Sequence, residues 1–523
     1  MSNEAGGAAV SFASAPKPRQ QREDGNQGAP SPRRTPLERT ADAAEELYRL
    51  RDTFFPRDPV EKAAALRALA DNALAILDSL PPEQRKTPQQ RAVYEFLRGK
   101  ILDVFPDYHK EAEDHLSKAV KLNPSLVDAW LCLGNCIWKK GDLASAMNCF
   151  SLALSKGADK KILCQLSMLE RSMAQGSEGQ AQLVEESIKH AKEAVMLDIR
   201  DGNSWYNLGN AYLTSFFVSG SWDHMKLHHS VKAYQNAEKD ETTKCNPDLY
   251  YNCATADKYL ENYERALRGF EAAALKDPGL GADTEVQKII SLLDKLDGAM
   301  KGQLRSKRLA SSVSSLSEVN IKSSHKKATI GILSEGLNKT VAVLGKVVLL
   351  IRHDNIAPMY YLTCDLDQSY FILSVYGLRN EALRLAGRGG GSDGRPGRAP
   401  EEGAVAAAAM ARGGKERWHR RTEGAVTVAA AVLGEEEGSC VGCCARSRGR
   451  EQQQRIKEGD RVALLDPYYR ILDISWKEQR YQFKSIRVDF PEQILVNEKA
   501  PPPHHVMPFK TVPRQRTFIH AQD

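Results

Sequence analysis

Apolar positions recur with a helical period along roughly the first three hundred residues and with a strand period along much of the remainder. From Asp42 the sequence places Leu47, Leu50, Phe54, Leu66, Leu69, Leu74 and Leu77 at helical spacing, interrupted by Pro56 and Pro59, which predicts an opening helical hairpin. Two later stretches share one grammar. Trp130-x-x-Leu133-Gly134 is followed by Ala146-x-x-x-Phe150-x-x-Ala153, and Trp205-x-x-Leu208-Gly209-x-x-Tyr212 by Tyr234-x-x-Ala237. Large residues three and four apart lie on one helix face, the glycine admits a second helix closely, and that helix fills the gap with an alanine and an aromatic ring.

The spacing extends outward. Ala112-x-x-x-Leu116-x-x-Ala119 precedes the Ala146 pattern by one period of about 34 residues, the interval of a tetratricopeptide repeat. A degenerate copy runs through Leu163, Leu166, Ser187, Ala191 and Ala194, and the Trp205 copy carries an insertion around Ser219 to His229. The last copy has Tyr250, Ala266, Phe270 and Ala273 before Asp277-Pro278. Ile289, Ile290, Leu292, Leu293 and Leu296 then form an amphipathic helix suited to cap the terminal repeat. Trp130, Gly134, Ala146, Phe150, Trp205, Gly209, Tyr212, Tyr250, Ala266 and Phe270 are therefore expected as packing positions of a solenoid over residues 41–300.

Residues 301–330 are rich in serine and lysine and read as a basic linker. Beyond them Val341 to Ile351, Tyr360 to Leu366, Tyr370 to Tyr376, Arg461 to Leu465, Tyr469 to Trp476 and Tyr481 to Val488 alternate as strands. Short strands in this number predict a small barrel of the oligonucleotide-binding type over residues 331–500. The fold class expected is α+β multidomain: an all-α repeat solenoid followed by a small β-barrel.

Low-complexity sequence at 383–455, with glycine, alanine and a Gln452-Gln453-Gln454 tract, interrupts that barrel. A structureless excursion of this length is foreign to a compact domain. Two readings are open: translated intron or gene-model error, and a genuine insertion. Residues 1–40 and 501–523 read as disordered tails.

Composition narrows the class. The chain has 523 residues, a net charge of +6 and ten cysteines, with a mean hydropathy of −0.46. The charge is too mild to establish nucleic-acid binding by itself. Cys132, Cys136, Cys149, Cys164, Cys245 and Cys253 fall in helical repeats, which implies reduced thiols and a cytoplasmic and nuclear setting. Neither a signal peptide nor a membrane-spanning run is expected.

Phosphate-binding G-x-x-x-x-G-K-S/T and H-E-x-x-H motifs are absent from the sequence, and G-x-S-x-G occurs only as Gly390-Gly-Ser-Asp-Gly394 in the low-complexity stretch, which is no nucleophile elbow. Cys440-x-x-Cys443-Cys444 is at most half a zinc site, so no metal, cofactor or enzyme activity is expected. A concave groove binds peptide segments of other proteins. In the repeat register Asn135, Asn207, Asn210, Asn252 and Asp248 turn toward that groove, where amides that both donate and accept can hold a peptide backbone. The alternative is that they cap turns or sit in water. Arg171 on the degenerate repeat would pair with a ligand carboxylate, while Asp248 would receive a ligand cation. On the barrel, Tyr468, Tyr469, Arg470, Tyr481 and Arg487 could bind a single strand of nucleic acid. The interleaved Asp466, Asp473, Glu478 and Asp489 favour protein docking instead.

Ser117-Lys-Ala-Val-Lys-Leu, Trp138-Lys-Lys-Gly-Asp-Leu-Ala-Ser-Ala, Ser204-Trp-Tyr-Asn-Leu-Gly-Asn-Ala-Tyr-Leu, Asn246-Pro-Asp-Leu and Val343-Leu-Gly-Lys-Val-Val exceed generic repeat consensus. With solenoid, linker and barrel in this order, the chain resembles the tetratricopeptide repeat protein five (Strap) family over most of residues 42–500. The resemblance implies an adaptor: transcriptional co-activation with acetyltransferases in stress, and recognition of nascent tubulin at the ribosome for tubulin mRNA decay. It also implies a ligand beginning Met-Arg-Glu, with Arg171 and Asp248 at matching groove positions. The family's second acidic groove contact has no match near Ala282 and Asp283. Lys100, Lys139 and Lys140 are the candidates for ribosome contact.

Overall fold

The computed structural model describes residues 35–174, 179–219, 223–302, 313–319, 321, 324–353, 355, 357–377 and 456–501. The segment 383–455, the tail beyond Pro501, most of the N-terminal tail and residues 175–178 lie outside these residues.

Helices fill the first part in an unbroken series: α1 (Pro36–Thr53), α2 (Pro59–Asp78), α3 (Pro88–Leu102), α4 (Lys110–Leu122), α5 (Val127–Lys139), α6 (Leu143–Lys156), α7 (Lys160–Met173), α8 (Gln180–Leu197), α9 (Gly202–Val218), α10 (His224–Ala237), α11 (Pro247–Tyr259), α12 (Tyr263–Lys276) and α13 (Ala282–Lys301). The first begins at Pro36, ahead of the apolar periodicity, because Thr35 and Glu38 form a reciprocal capping box. Repeat packing follows the small-residue rule. A methyl group on Gly134 would lie 2.4 Å from the Phe150 ring, and one on Gly209 would lie 2.4 Å from the Tyr234 ring, so each glycine sets the approach of its two helices. Trp130 and Trp205 donate their indole N–H to the carbonyl six residues earlier, Pro124 and Ile199, each at 2.9 Å.

The second part is a single curled sheet: β1 (Lys326–Ala328), β2 (Gly336–Leu337), β3 (Val341–Ile351), β4 (Met359–Asp365), β5 (Tyr370–Val375), β6 (Arg461–Leu465), β7 (Tyr468–Trp476), β8 (Gln479–Val488) and β9 (Ile494–Val496). Strands β3, β4, β5 and β8 pair in that order, β6 pairs with β3, and β7 pairs with β8. β6 and β7 are one run bent at Asp466-Pro467, where Asp466 has φ 47°. That bent run joins the two ends of the sheet around Val343, Val347, Tyr361, Phe371, Leu464 and Ile486.

Half of the expected basic linker belongs to this barrel. Val313, Leu316 and Val319 pack against Leu344, Cys364 and Ala463, and Lys326–Ala328 pairs in parallel with β3. Lysine-rich composition hid a strand whose buried position is held by Ala328 alone.

Solenoid and barrel share a core. Residues of α11–α13, including Phe270, Ile289, Leu293 and Leu296, form one apolar cluster with Tyr360, Leu472, Ile474, Trp476, Tyr481 and Phe483. The capping helix α13 covers the last repeat, and the β7–β8 hairpin packs over α13 in turn.

Candidate functional site

The first helices of three successive repeats, α7, α9 and α11, carry most of the expected groove residues. Their register breaks the packing rule. Ser167 occupies the position that Gly134 and Gly209 hold elsewhere, and Ser187 faces it with an Oγ–Oγ distance of 3.0 Å. Two small hydroxyls leave room beside them, and the Arg171 guanidinium fills it. Arg171 donates to Ser167 Oγ at 2.7 Å, Ser187 Oγ at 3.1 Å and Asn207 Oδ1 at 3.4 Å.

Arg171 is only 7% exposed. All three of these acceptors are neutral, and among the described residues no carboxylate lies within ion-pair distance of it. Burial pushes its pKa down to about 10. A guanidinium desolvated without a counter-ion is costly, and a ligand anion would offset that cost.

Asn207, Asn210 and Asn252 are buried, whereas the register suggests residues lining an open groove. Their amides join the helices. Asn210 Oδ1 accepts from Tyr234 Oη at 2.8 Å and Asn252 Nδ2 at 3.0 Å, while Asn207 Nδ2 donates to Asn203 O at 3.1 Å. Asn252 Oδ1 accepts no hydrogen bond among the described residues. Asn135 is half-buried on α5 and takes no part in this network. Asp248 sits in the first turn of α11, capped by Asn246, whose Oδ1 accepts from Asp248 N at 2.9 Å. The Tyr234 phenol is held well above its ordinary value, chiefly by burial, and feels both the Arg171 cation and the Asp248 anion. Ser167, Ser187, Tyr206 and Tyr234 complete the site; Ser187 and Tyr234 stand at repeat positions in the sequence, which marks them for packing and not for polar contact.

Ala282 and Asp283 open α13. Nearby on α13, Glu285 points at α11 and pairs with Lys258 at 2.9 Å and Lys288 at 2.8 Å. Each lysine considered for ribosome contact is engaged within the chain. Lys100 pairs with Glu45 at 2.6 Å, Lys139 with buried Asp103 at 3.0 Å, and Lys140 with Glu113 at 3.3 Å.

On the barrel, Arg470 and Arg487 turn toward the solenoid and donate to the Leu260 carbonyl at 3.1 and 3.2 Å. Tyr481 donates to Asp294 at 2.8 Å, and Tyr469 is in the barrel core. Of the residues considered for nucleic acid, Tyr468 alone is exposed. Among the described residues no His, Cys, Asp and Glu cluster could hold a metal, and no helix is long and apolar enough to cross a membrane.

A repeat solenoid bearing a polar seam and closed by a barrel defines a protein-interaction adaptor of the tetratricopeptide class. Residues 324–387 and 437–510 match the model of the tetratricopeptide repeat protein 5 OB fold domain, with residues 388–436 falling outside the match. Human tetratricopeptide repeat protein 5 is 35% identical over 361 residues, covering 65% of this chain and 82% of the relative. The mouse protein is 36% identical over 359 residues, covering 65% and 81%. The chain belongs to the tetratricopeptide repeat protein 5 family. Among solved structures, YrrB, a TPR protein with an unusual peptide-binding site, aligns at 18% identity and a TM-score of 0.29 over 39% of this chain and 94% of that chain.

Proposed function

We propose that this protein is a non-enzymatic adaptor, acting in cytoplasm and nucleus, whose solenoid seam binds a short extended peptide. Arg171 receives an acidic side chain of the ligand and Asp248 a cationic group, an order that suits a nascent tubulin N-terminus beginning Met-Arg-Glu. The observation that carries this reading is the buried Arg171 guanidinium with neutral partners only. The unfilled acceptor on Asn252 supports it, since an extended backbone supplies N–H donors.

The barrel docks a second macromolecule, a ribosomal component or a transcriptional co-activator. A protein partner is favoured over nucleic acid because Arg470 and Arg487 are engaged with the solenoid. Leu337 and Tyr468, paired across β2 and β7, form an exposed apolar pair at 51% and 39% exposure.

Fluorescence anisotropy with a labelled Met-Arg-Glu peptide and the full chain tests the groove. Binding is expected for the wild type and is lost in Arg171→Glu with helix content unchanged. Equal affinity in wild type and variant would remove Arg171 from the site. Binding that falls by orders of magnitude between low and high salt would instead favour a phosphate ligand.

A further inference from the structure

The carbonyl end of α11 is closed by the barrel. Its last turn ends with Leu260, then Glu261 in the left-handed region at φ 60°, and Asn262 N donating back to Asp257 O at 2.8 Å. This is the glycine-type helix stop. The matching turn between α5 and α6 has Gly141 there, at φ 92° with nothing within 4 Å of where a β-carbon would stand. A glutamate is a poor residue for that backbone conformation, yet Glu261 is 1% exposed.

What surrounds Glu261 explains its presence. Its own carbonyl accepts from Arg470 Nη2 at 3.1 Å, and its carboxylate lies 3.6 Å from Arg470 Nη1 and 3.3 Å from Tyr376 Oη. The Leu260 carbonyl accepts from Arg470 and Arg487 together, and the Tyr259 carbonyl accepts from Tyr376 Oη at 2.7 Å. Three successive carbonyls at a helix C-terminus, where the backbone leaves acceptors and partial negative charge, are therefore satisfied by two cations and a phenol from another domain.

We propose that Glu261, Arg470, Arg487 and Tyr376 form a clamp through which the barrel positions α11, the helix that carries Asp248 and Asn252. They act as positioning residues: none touches the seam itself, and their effect on the ligand passes through the axis and rotation of α11. The barrel is then an integral part of the groove. A solenoid ending near residue 300 lacks the donors that Arg470, Arg487 and Tyr376 supply to the Tyr259, Leu260 and Glu261 carbonyls. The effect on ligand affinity rests on the peptide reading above; the clamp itself does not.

The test uses the full chain and two readouts. Amide hydrogen exchange without ligand is compared over α11 and, as internal reference, over α5 and α6. Arg470→Met, which removes two charge-assisted hydrogen bonds, is expected to raise exchange in the second half of α11 about tenfold and leave α5–α6 unchanged. Arg470→Lys restores part of the protection. Glu261→Gly is expected to raise α11 exchange as well, although glycine suits the backbone better. Tyr376→Phe loses a single hydroxyl and serves if the arginine variants fold poorly; a two- to threefold rise, about the share of one neutral hydrogen bond, is expected. Affinity for the Met-Arg-Glu peptide falls in the same order. Unchanged α11 exchange in Glu261→Gly and Tyr376→Phe overturns the clamp. If exchange rises but no form of the protein binds the peptide, the clamp stands and the ligand assignment fails.

Discussion

The repeat built from α5 and α6 and the repeats built from α7, α9 and α11 start from one sequence grammar and end differently. In the first, Gly134 meets Phe150, Gly141 turns the chain in open space, and the interior is apolar apart from the buried Asp103 that Lys139 reaches. In the others, serine replaces glycine at 167, an arginine enters the gap, asparagines bond across helices, and a buried glutamate takes the turn at 261. Regular repeats make a scaffold, and the buried polar contacts gather where the grammar lapses.

Several substitutions can break or sharpen this contrast. The largest effect is expected at Arg171. Arg171→Glu places a carboxylate where the ligand anion belongs and should weaken the Met-Arg-Glu peptide on the order of 100-fold, the scale of truncating a buried charge pair. Next come the two glycines. Gly134→Val and Gly209→Val each force a side chain into an aromatic ring and should lower stability by about 1–3 kcal/mol in thermal or denaturant unfolding. They diverge on the ligand: Gly209→Val displaces Tyr234, which bonds Asn210, and should also reduce peptide affinity, while Gly134→Val leaves it near the wild-type value.

A smaller effect is expected at the turns. Gly141→Ala puts a β-carbon on a left-handed residue with no compensating contact and should cost about 1 kcal/mol. The smallest is a pH effect beside Arg171. His190 Nδ1 lies 3.0 Å from Glu170, which raises the imidazole pKa above its unfolded value of about 6.5. A raised pKa means that the pair stabilises the fold fully below that unfolded value and loses the contribution as pH rises through the folded one. The melting temperature of His190→Gln should therefore change less than that of the wild type between acidic and mildly alkaline pH. An identical pH profile would contradict it.

Much of the fold was legible because it is local. Helical spacing of Trp130, Phe150 and Ala153, and the β-branched and aromatic runs through Tyr360–Leu366 and Tyr481–Val488, report burial within one element and its neighbour. The basic linker was misjudged because β1 is short and draws its partner, β3, from outside the local pattern. The site was half legible. Arg171, Asp248 and the asparagines stand out by type and register, yet their burial depends on Ser167, Ser187 and Tyr234, which mean little one at a time. The contacts of Arg470 and Arg487 with Leu260 span more than two hundred residues, a separation at which periodicity carries no information, so neither arginine is legible as a solenoid contact.

The central claim is that the buried Arg171 guanidinium awaits an acidic ligand side chain. A double-mutant cycle tests it directly: calorimetric titration of Met-Arg-Glu and Met-Arg-Gln peptides into wild type and Arg171→Met. The account predicts strong coupling, with the glutamate-to-glutamine change costing about tenfold or more in the wild type and almost nothing in the variant. Equal losses in both proteins would contradict it.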